Sequence, residues 1–442
     1  MVWHNLRIAW KSLKRNALLT ALIITGIGLG IGASTTFAAV RHAFARHPIP
    51  QKADTLHYVR LDSWDPLKPY PGDDPTRPPT QITYRDMVGV MRSKIPQRQT
   101  GMATTMQYVY PDPKVGRPFR ENVRLVFGDF FPMFDVPFRY GTGWDRRADA
   151  GPEPVVVLAF EMNDKLFGGT NSVGKTVRIA TRDFRVVGVM SPWKPNVKYF
   201  DLTQSAIAEP EKIYMPFNLL KPMQLQPSGN RDGWGTSGGL SGFEGLLQSE
   251  TCWIQMWVEL PDRKTVNDYR DFLTAYVMEQ KKTGRFPRPL NNRLSTVKEW
   301  MDEQKVVPPQ ANTMLIVSLL FLAVCAVNLV GLLLGKFLAR APEVSVRRAL
   351  GATRGDIFLQ HVIECEVIGV IGGAVGLLLA LGGLAALNVW VKTTATRTDF
   401  FQLDGPMVLL GIGLSLAAGL AAGLYPAWRT CRIPPAVHLK VQ

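Results

Sequence analysis

Four long apolar runs, nearly free of charge, govern what this chain can become: Ala17 to Val40, Asn312 to Gly335, Val367 to Val391 and Pro406 to Leu424. At about 1.5 Å per residue, each reaches across a hydrocarbon core of roughly 30 Å as a helix, the fourth being the shortest. The first run has a competing reading as a secretory signal, because Lys11, Lys14 and Arg15 precede it and Ala43-Phe44-Ala45 resembles a cleavage site. It is longer than the roughly 7 to 15 apolar residues of a signal peptide, and three later runs favour an uncleaved anchor.

Basic residues set the orientation. Arg7, Lys11, Lys14 and Arg15 precede the first span, Lys336, Arg340, Arg347, Arg348 and Arg354 lie between the second and third, and Arg429, Arg432 and Lys440 follow the fourth. All three clusters fall on one side, which the positive-inside rule makes cytoplasmic. The expected order is a cytoplasmic amphipathic helix (1–16) on membrane lipid, span one (17–40), an extracytoplasmic domain (41–310), span two (312–335) and a cytoplasmic loop (336–366). Span three (367–391), a short outer loop (392–405), span four (406–424) and a cytoplasmic tail (425–442) follow, so both termini are cytoplasmic in an inner-membrane protein.

Glycines recur at helix-packing spacing: Gly26 with Gly30, Gly28 with Gly32, Gly369 with Gly373, Gly372 with Gly376 and Gly419 with Gly423. Small residues four apart let helix backbones approach closely; the competing reading is that glycine is simply frequent in membrane helices. No Asp, Glu, Lys or Arg lies mid-span, so a charge relay through the membrane lacks its residues. Asn328 is the one strongly polar residue inside span two, expected to bond between helices.

The segment 41–310 alternates short strand and helix signals and reads as α+β. Strand Leu56 to Leu61, helix Ile82 to Ser93 and strand Gly101 to Val109 form one βαβ-like half. Strand Cys252 to Glu259, helix Thr265 to Lys281 and strand Arg293 to Val297 form another. Between them, about 112–250, lies a strand-rich insertion with strands at Arg120 to Phe127, Val155 to Ala159, Thr176 to Ile179 and Phe184 to Met190. Its Gly/Ser-rich end, Ser228 to Gly245, reads as a mobile surface loop bearing Trp234 and Phe243. The fold class is therefore an α-helical membrane protein with four transmembrane helices plus an α+β extracytoplasmic domain of two βαβ-like halves and an insertion.

The net charge of +15 comes with no zinc-finger, RNA-recognition or helix-turn-helix pattern, so no nucleic-acid partner is expected. Of four cysteines, Cys252 alone lies in the α+β segment, which excludes an intrachain disulfide there. Gly169-Thr170-Asn171-Ser172-Val173-Gly174-Lys175-Thr176 fits the phosphate-loop pattern G-x-x-x-x-G-K-[ST]. That chemistry needs a strand before the loop and a helix after it. Here a helix-like Phe160 to Phe167 precedes and a strand follows, so a helix-to-strand turn is expected. His4, His42, His47, His57, His361 and His438 have no metal-ligand spacing, and no catalytic set assembles. Catalytic, cofactor and metal residues are accordingly expected to be none.

The stretch Glu343-Val344-Ser345-Val346-Arg347-Arg348-Ala349-Leu350-Gly351-Ala352-Thr353-Arg354-Gly355-Asp356-Ile357, followed by Gln360 and Ile363-Glu364, resembles the signature loop of FtsX/MacB-type ABC transporter permeases. Asn5-Leu6-Arg7, Phe167-Gly168-Gly169, Val186-Val187-Gly188-Val189 and Gly423-Leu424-Tyr425-Pro426-Ala427-Trp428-Arg429 resemble further family elements. The resemblance implies a coupling helix that docks on an ABC ATPase, with Glu343, Arg347, Arg348, Gly351, Arg354 and Asp356 at the contact and Gly351 ending the helix. It also implies ATP and Mg on that ATPase, a separate chain, and a second permease, identical or related. A periplasmic adaptor and an outer-membrane duct belong to the macrolide-exporter variant. The implied mechanism is mechanotransmission, in which the helices flanking the outer domain carry motion to it and drive efflux of a periplasmic substrate such as a drug, peptide or other amphiphile. FtsX-like regulation of a peptidoglycan hydrolase and lipoprotein extraction are the alternatives.

Overall fold

The computed structural model describes residues 17–72, 74–151, 153–203, 205–234, 241–395 and 399–432, without the side chains of 393–395. The amphipathic helix expected over 1–16 and the end of the tail, 433–442, lie outside the described residues. The chain divides into two compact units, His47–Val306 and the segments on either side of it.

Helix α1 (Ala17–Ala45) opens the helical unit. The mixed unit follows with β1 (Leu56–Arg60), β2 (Ile82–Thr83), α2 (Tyr84–Val90), β3 (Arg98–Tyr110), β4 (Phe119–Val126), α3 (Phe130–Met133), β5 (Phe138–Gly141), α4 (Arg146–Ala150), β6 (Val155–Leu158) and α5 (Phe160–Phe167). It continues with β7 (Thr176–Ile179), β8 (Arg182–Met190), β9 (Ile213–Pro216), β10 (Pro227–Ser228), α6 (Gly242–Gln248), β11 (Cys252–Glu259), α7 (Arg263–Lys282), β12 (Arg293–Thr296) and α8 (Val297–Glu303). Helices α9 (Pro309–Leu338), α10 (Ala341–Ala349), α11 (Arg354–Ala395) and α12 (Gly405–Cys431) complete the helical unit.

The two βαβ-like halves interleave in one sheet rather than standing side by side. Strand order β12-β1-β11-β3, with every neighbour antiparallel, is the split βαβ arrangement of ferredoxin-like folds. Strand β3 is the hinge of the architecture. Its first residues pair with β11, Thr100 opposite Trp257, and its later ones with β4, Thr105 opposite Val123. The insertion thus grows from the same strand: β4 runs parallel to β9, β9 antiparallel to β6, and β6 parallel to β8. Val59, Met256, Val123, Val156 and Val186 belong to one continuous apolar core through both halves.

A buried ion network ties the insertion to this core. Arg124 on β4 donates from Nη2 to Asp201 (2.6 Å) and, with Nε, grips Glu211 (2.7 and 2.9 Å). Lys198 reaches Glu211 at 2.6 Å, and Gln255 of β11 donates to Asp201 at 3.0 Å. Burial works against the Asp201 carboxylate, but Arg124 and Lys198 prevail and hold its pKa well below the ordinary value.

Local capping chemistry explains where the expected boundaries move. The helix expected over 82–93 starts later, because Ile82 and Thr83 pair with β11 and Thr83 accepts the Asp86 N–H as N-cap. The strand expected through Val297 yields at Thr296, which forms a capping box with Glu299 and starts α8. The segment expected as a mobile loop is in large part structured. Ser228 pairs with Thr104, Asp232 bridges Cys252, the Trp234 indole donates to Ser63 O at 2.7 Å, and α6 packs Phe243 on the core; residues 235–240 lie outside the described residues. Asp62, Pro75 and Thr76 of the Pro-rich stretch are held as well, since Arg288 holds Asp62 and Pro75 O while Asn291 holds Asp62 and Thr76 O.

Helices α1, α9, α11 and α12 are each long and apolar enough to cross a membrane, and each extends beyond its apolar run. Gly28 and Gly32 of α1 lie against α11, where an added Cβ would stand 3.3 Å from Gly372 O and 3.0 Å from Gly376 O. Gly30 meets Leu322 of α9, and the Ser34 hydroxyl donates to Ser318 O at 3.0 Å. Gly369 and Gly373 seat α12 through Ser415, whose hydroxyl donates to Gly369 O at 3.0 Å. Gly423 packs on Cys365. Gly26 departs from the expectation, because among the described residues nothing comes within 4 Å of where its Cβ would stand. Asn328 also departs from it: on α9 it is exposed, with no bond to a neighbouring helix among the described residues.

Two predictions concern the mixed unit. Replacing Arg124 by Met leaves two buried carboxylates short of a cation and should cost about 3–5 kcal/mol, measured by urea unfolding of the full chain in detergent. The Asp149 carboxylate accepts from Gly128 N–H and the Trp144 indole at 2.8 and 2.9 Å, yet burial raises its pKa from 3.8 to about 6. The folded state therefore holds the extra proton, and this stabilising contribution, full below about pH 4, is lost as pH rises through about 6. Asp149→Asn should flatten that segment of the thermal-midpoint profile. In the helical unit, Gly376→Val should lower the thermal midpoint in detergent while Gly26→Val leaves it in place, since only Gly376 faces a backbone.

Candidate functional site: the helix between the second and third spans

The segment joining α9 to α11 folds into a short helix because its ends are chemically marked. Pro342 occupies the first turn of α10, Glu343 stands near its N-terminus and Arg347 and Arg348 in its last turn, an order that complements the helix dipole. Glu343 and Arg347 pair at 2.7 Å across one turn. The helix stops at Gly351, whose φ of 103° lies in the left-handed region. Gly351 N–H donates to Arg348 O at 3.2 Å and Ala352 N–H to Arg347 O at 3.1 Å, the two bonds of a Schellman ending. Thr353 and Asp356 then cap the start of α11 reciprocally, with Asp356 N–H on the Thr353 hydroxyl at 3.2 Å and Thr353 N–H on the Asp356 carboxylate at 3.1 Å.

The helix has two faces. Val344 is buried in a cluster with Ile357 and Cys431, which fastens α10 to the start of α11 and the end of α12. Arg347 also donates to Gln360 at 3.1 Å, and Arg348 lies 3.5 Å from Cys431 O. The opposite face carries Val346, 48% exposed, and Leu350, 82% exposed, with Glu343, Arg354 and Asp356 exposed around them. The six residues expected at a docking surface therefore divide. Arg347 and Arg348 are half-buried in intrachain contacts, Gly351 and Asp356 set the ends of helices, and Glu343 and Arg354 point outward. Sequence reasoning overlooked Val346 and Leu350, although apolar residues four apart in a charged stretch mark one helix face.

Lys336 and Glu364, both in the segment 336–366 read as a loop, meet inside the helical unit. Lys336, counted among loop charges, is fully buried on α9 with its ammonium 2.8 Å from Glu364 Oε1 of α11. Arg340 lies 3.6 Å from the other carboxylate oxygen. Both charges stand just outside the apolar runs, Lys336 after the second and Glu364 before the third.

The phosphate-loop pattern folds as a turn. Helix α5 ends at Gly168 and strand β7 begins at Thr176. Val173 N–H donates to the Asn171 side chain at 3.0 Å, Gly174 N–H to Val186 O at 2.8 Å and Lys175 N–H to Ser172 O at 2.9 Å. Those amides are consumed within the domain, and the Lys175 ammonium lies 5.4 Å from the Phe167 ring centroid. A phosphate cradle needs the same N–H groups free and converging at a helix N-terminus. Among the described residues no group of three or more His, Cys, Asp or Glu stands close enough to hold a metal ion.

Four membrane-length helices, a mixed α/β domain inserted after the first, and a short two-faced helix between the second and third define a permease-type membrane subunit. The MacB-like periplasmic core domain matches residues 20–276 and the FtsX-like permease C-terminal domain matches residues 315–435. The chain belongs to the MacB/FtsX-type ABC transporter permease family. It is similar to the macrolide export ATP-binding/permease protein MacB of Shigella boydii serotype 4, with 21% identity over 436 residues, 97% of this chain and 59% of that protein. The MacB protein of Syntrophobacter fumaroxidans is 24% identical over 339 residues, 71% of this chain and 46% of that protein. The chain thus spans about three fifths or less of these relatives. The crystal structure of the periplasmic region of MacB from Actinobacillus actinomycetemcomitans aligns over 59% of this chain and 96% of that one, at 13% identity and a TM-score of 0.36.

The turn geometry at Lys175 generates a direct expectation. The purified chain should show no ATP turnover, and Lys175→Ala should leave any trace rate unchanged; robust hydrolysis abolished by that substitution would contradict the turn assignment.

Proposed function

We propose that this chain is the permease part of a MacB-like ABC transporter whose ATP is hydrolysed by an ATPase outside these 442 residues, docked on α10. The observation that carries the reading is the outward face of α10, an apolar pair, Val346 and Leu350, rimmed by charge on a helix fixed at both ends. A rigid, partly apolar knob is suited to a groove on a partner. In this reading α10 and both termini are cytoplasmic and the mixed α/β domain is periplasmic. Motion of α10 reaches that domain through α1 and α9, the helices flanking it in the chain, and drives efflux of a periplasmic drug, peptide or other amphiphile without a charged path through the bilayer.

A second permease, identical or related, covers the outer face of α9, the least buried of the four long helices. Asn328 is exposed there with Gly331 and Gly335, whose Cβ positions meet nothing within 4 Å among the described residues. An amide side chain and two small residues four apart favour helix pairing in lipid. A periplasmic adaptor and an outer-membrane duct complete the export reading. The FtsX-like match over residues 315–435 supports a second reading, in which the same machinery switches a peptidoglycan hydrolase.

Purification of the tagged chain from native membranes tests these assignments. An ABC ATPase should accompany it, and Leu350→Asp or Arg354→Glu should reduce its recovery at least tenfold, about 1.4 kcal/mol. An accompanying adaptor and duct support export, a hydrolase supports regulation, and the absence of any ATPase sinks both.

A further inference from the structure

The junction of α9 and α10 is fixed to α11 by chemistry that docking does not require. Lys336 on the last turn of α9 and Arg340 in the bend before α10 lie one helical turn apart and converge on opposite oxygens of one carboxylate, Glu364, at 2.8 and 3.6 Å. Both Lys336 and Glu364 are almost wholly withdrawn from solvent. Next to them the His361 ring lies over Phe337 of α9, with centroids 4.1 Å apart. One turn earlier on α11, Gln360 accepts from Arg347 of α10 at 3.1 Å. Gln360, His361 and Glu364 thus form one face of α11 that holds the end of α9, the bend and α10 together. The contact between the Lys336 ammonium and Glu364 is close but poorly aligned as a hydrogen bond, so its strength is mainly charge attraction in a low-dielectric site. Keeping two charges inside a helical bundle is costly unless they are paired. Apolar residues would pack the same space without that cost, which points to a positional task.

We propose that Glu364 is a positioning residue, the clamp that fixes the α9–α10 bend to α11 so that a push on α10 displaces α9 and α11 as one body. Its consequence for transport rests on α10 being the ATPase-docking helix; the clamp itself does not.

The test is a distance measurement by pulsed electron paramagnetic resonance on the full chain in nanodiscs. Spin labels replace the exposed Leu338 of α9 and Leu359 of α11 in a background without the native cysteines. The unmutated clamp should give one narrow distance distribution. Glu364→Gln, which keeps shape and removes charge, should at least double its width, and Lys336→Arg should keep it narrow. The double variant Lys336→Met/Glu364→Gln loses both charges together, so it folds without an unpaired ion, and it too should broaden while its thermal midpoint stays near that of the parent. A narrow distribution in either Glu364→Gln variant overturns the clamp. In the complex recovered with its ATPase, trapping with ATP and vanadate should leave the parent distance unchanged; a change shows α9 and α11 moving apart and also overturns it. If no ATPase is recovered, the docking reading fails while the nanodisc distances still decide the clamp.

Discussion

Backbone contact between α1 and α11 is the constraint on which the helical unit depends. In lipid there is no hydrophobic gain in bringing two apolar helices together, so association rests on packing and on a few polar contacts. Gly28 and Gly32 on one side and Gly372 and Gly376 on the other remove the side chains that would hold the two axes apart. With α1 seated this closely, α11 becomes a central column. A second face, at Gly369 and Gly373, takes Ser415 of α12, and its N-terminal end takes the α9–α10 bend through Gln360, His361 and Glu364. Helices α1 and α12 are therefore seated on one rod, while α9 packs on α1 and α12 and meets the rod at its end.

The mixed domain achieves a comparable stiffness by another route. A single strand, β3, belongs to the ferredoxin-like sheet at one end and to the insertion at the other, so the two parts share backbone hydrogen bonds instead of meeting across a linker. Arg124, Asp201, Glu211, Lys198 and Gln255 bind the same junction from within the core. A buried network of this kind adds little net stability over apolar packing, but it fixes one arrangement, because any shift leaves a charge without its partner.

The parts legible in the sequence were those with a strong, local period. The apolar runs announced the four long helices, β11 and α5 were readable to the residue, and the glycine spacing marked close approach without saying which helices meet; the fold puts it between α1 and α11 and between α11 and α12. What escaped had short or non-local causes. Strands β5 and β9 span four residues each and exist because partners in the sheet are waiting, and α8 begins because Thr296 and Glu299 cap each other. Gly26 has the same spacing as its neighbours, but among the described residues nothing lies within 4 Å of its Cβ position; spacing says which residues share a face, and only the fold says whether that face is occupied. On α10 the charged residues stood out in the sequence, whereas the structure turns Arg347 and Arg348 partly inward and exposes Leu350.

Two signals admit two readings each, for one reason. The phosphate-loop pattern and the basic cluster around Lys336 were each defined by residue type at fixed spacing, and each type has two uses. Glycine at positive φ serves a nucleotide cradle and an ordinary helix-to-strand turn equally well, and the turn's amides had already found partners in Val186, Ser172 and Asn171. Lysine after an apolar run serves positive-inside orientation when it reaches water, and pairing when a carboxylate waits one helix away. Glu364 stands just before the third apolar run as Lys336 stands just after the second, and the antiparallel return of the chain brings those two positions to the same depth. Two opposite charges at matching ends of consecutive apolar runs are thus a pattern that sequence alone can offer as a candidate buried pair, with the direction each residue faces on its helix deciding whether they meet.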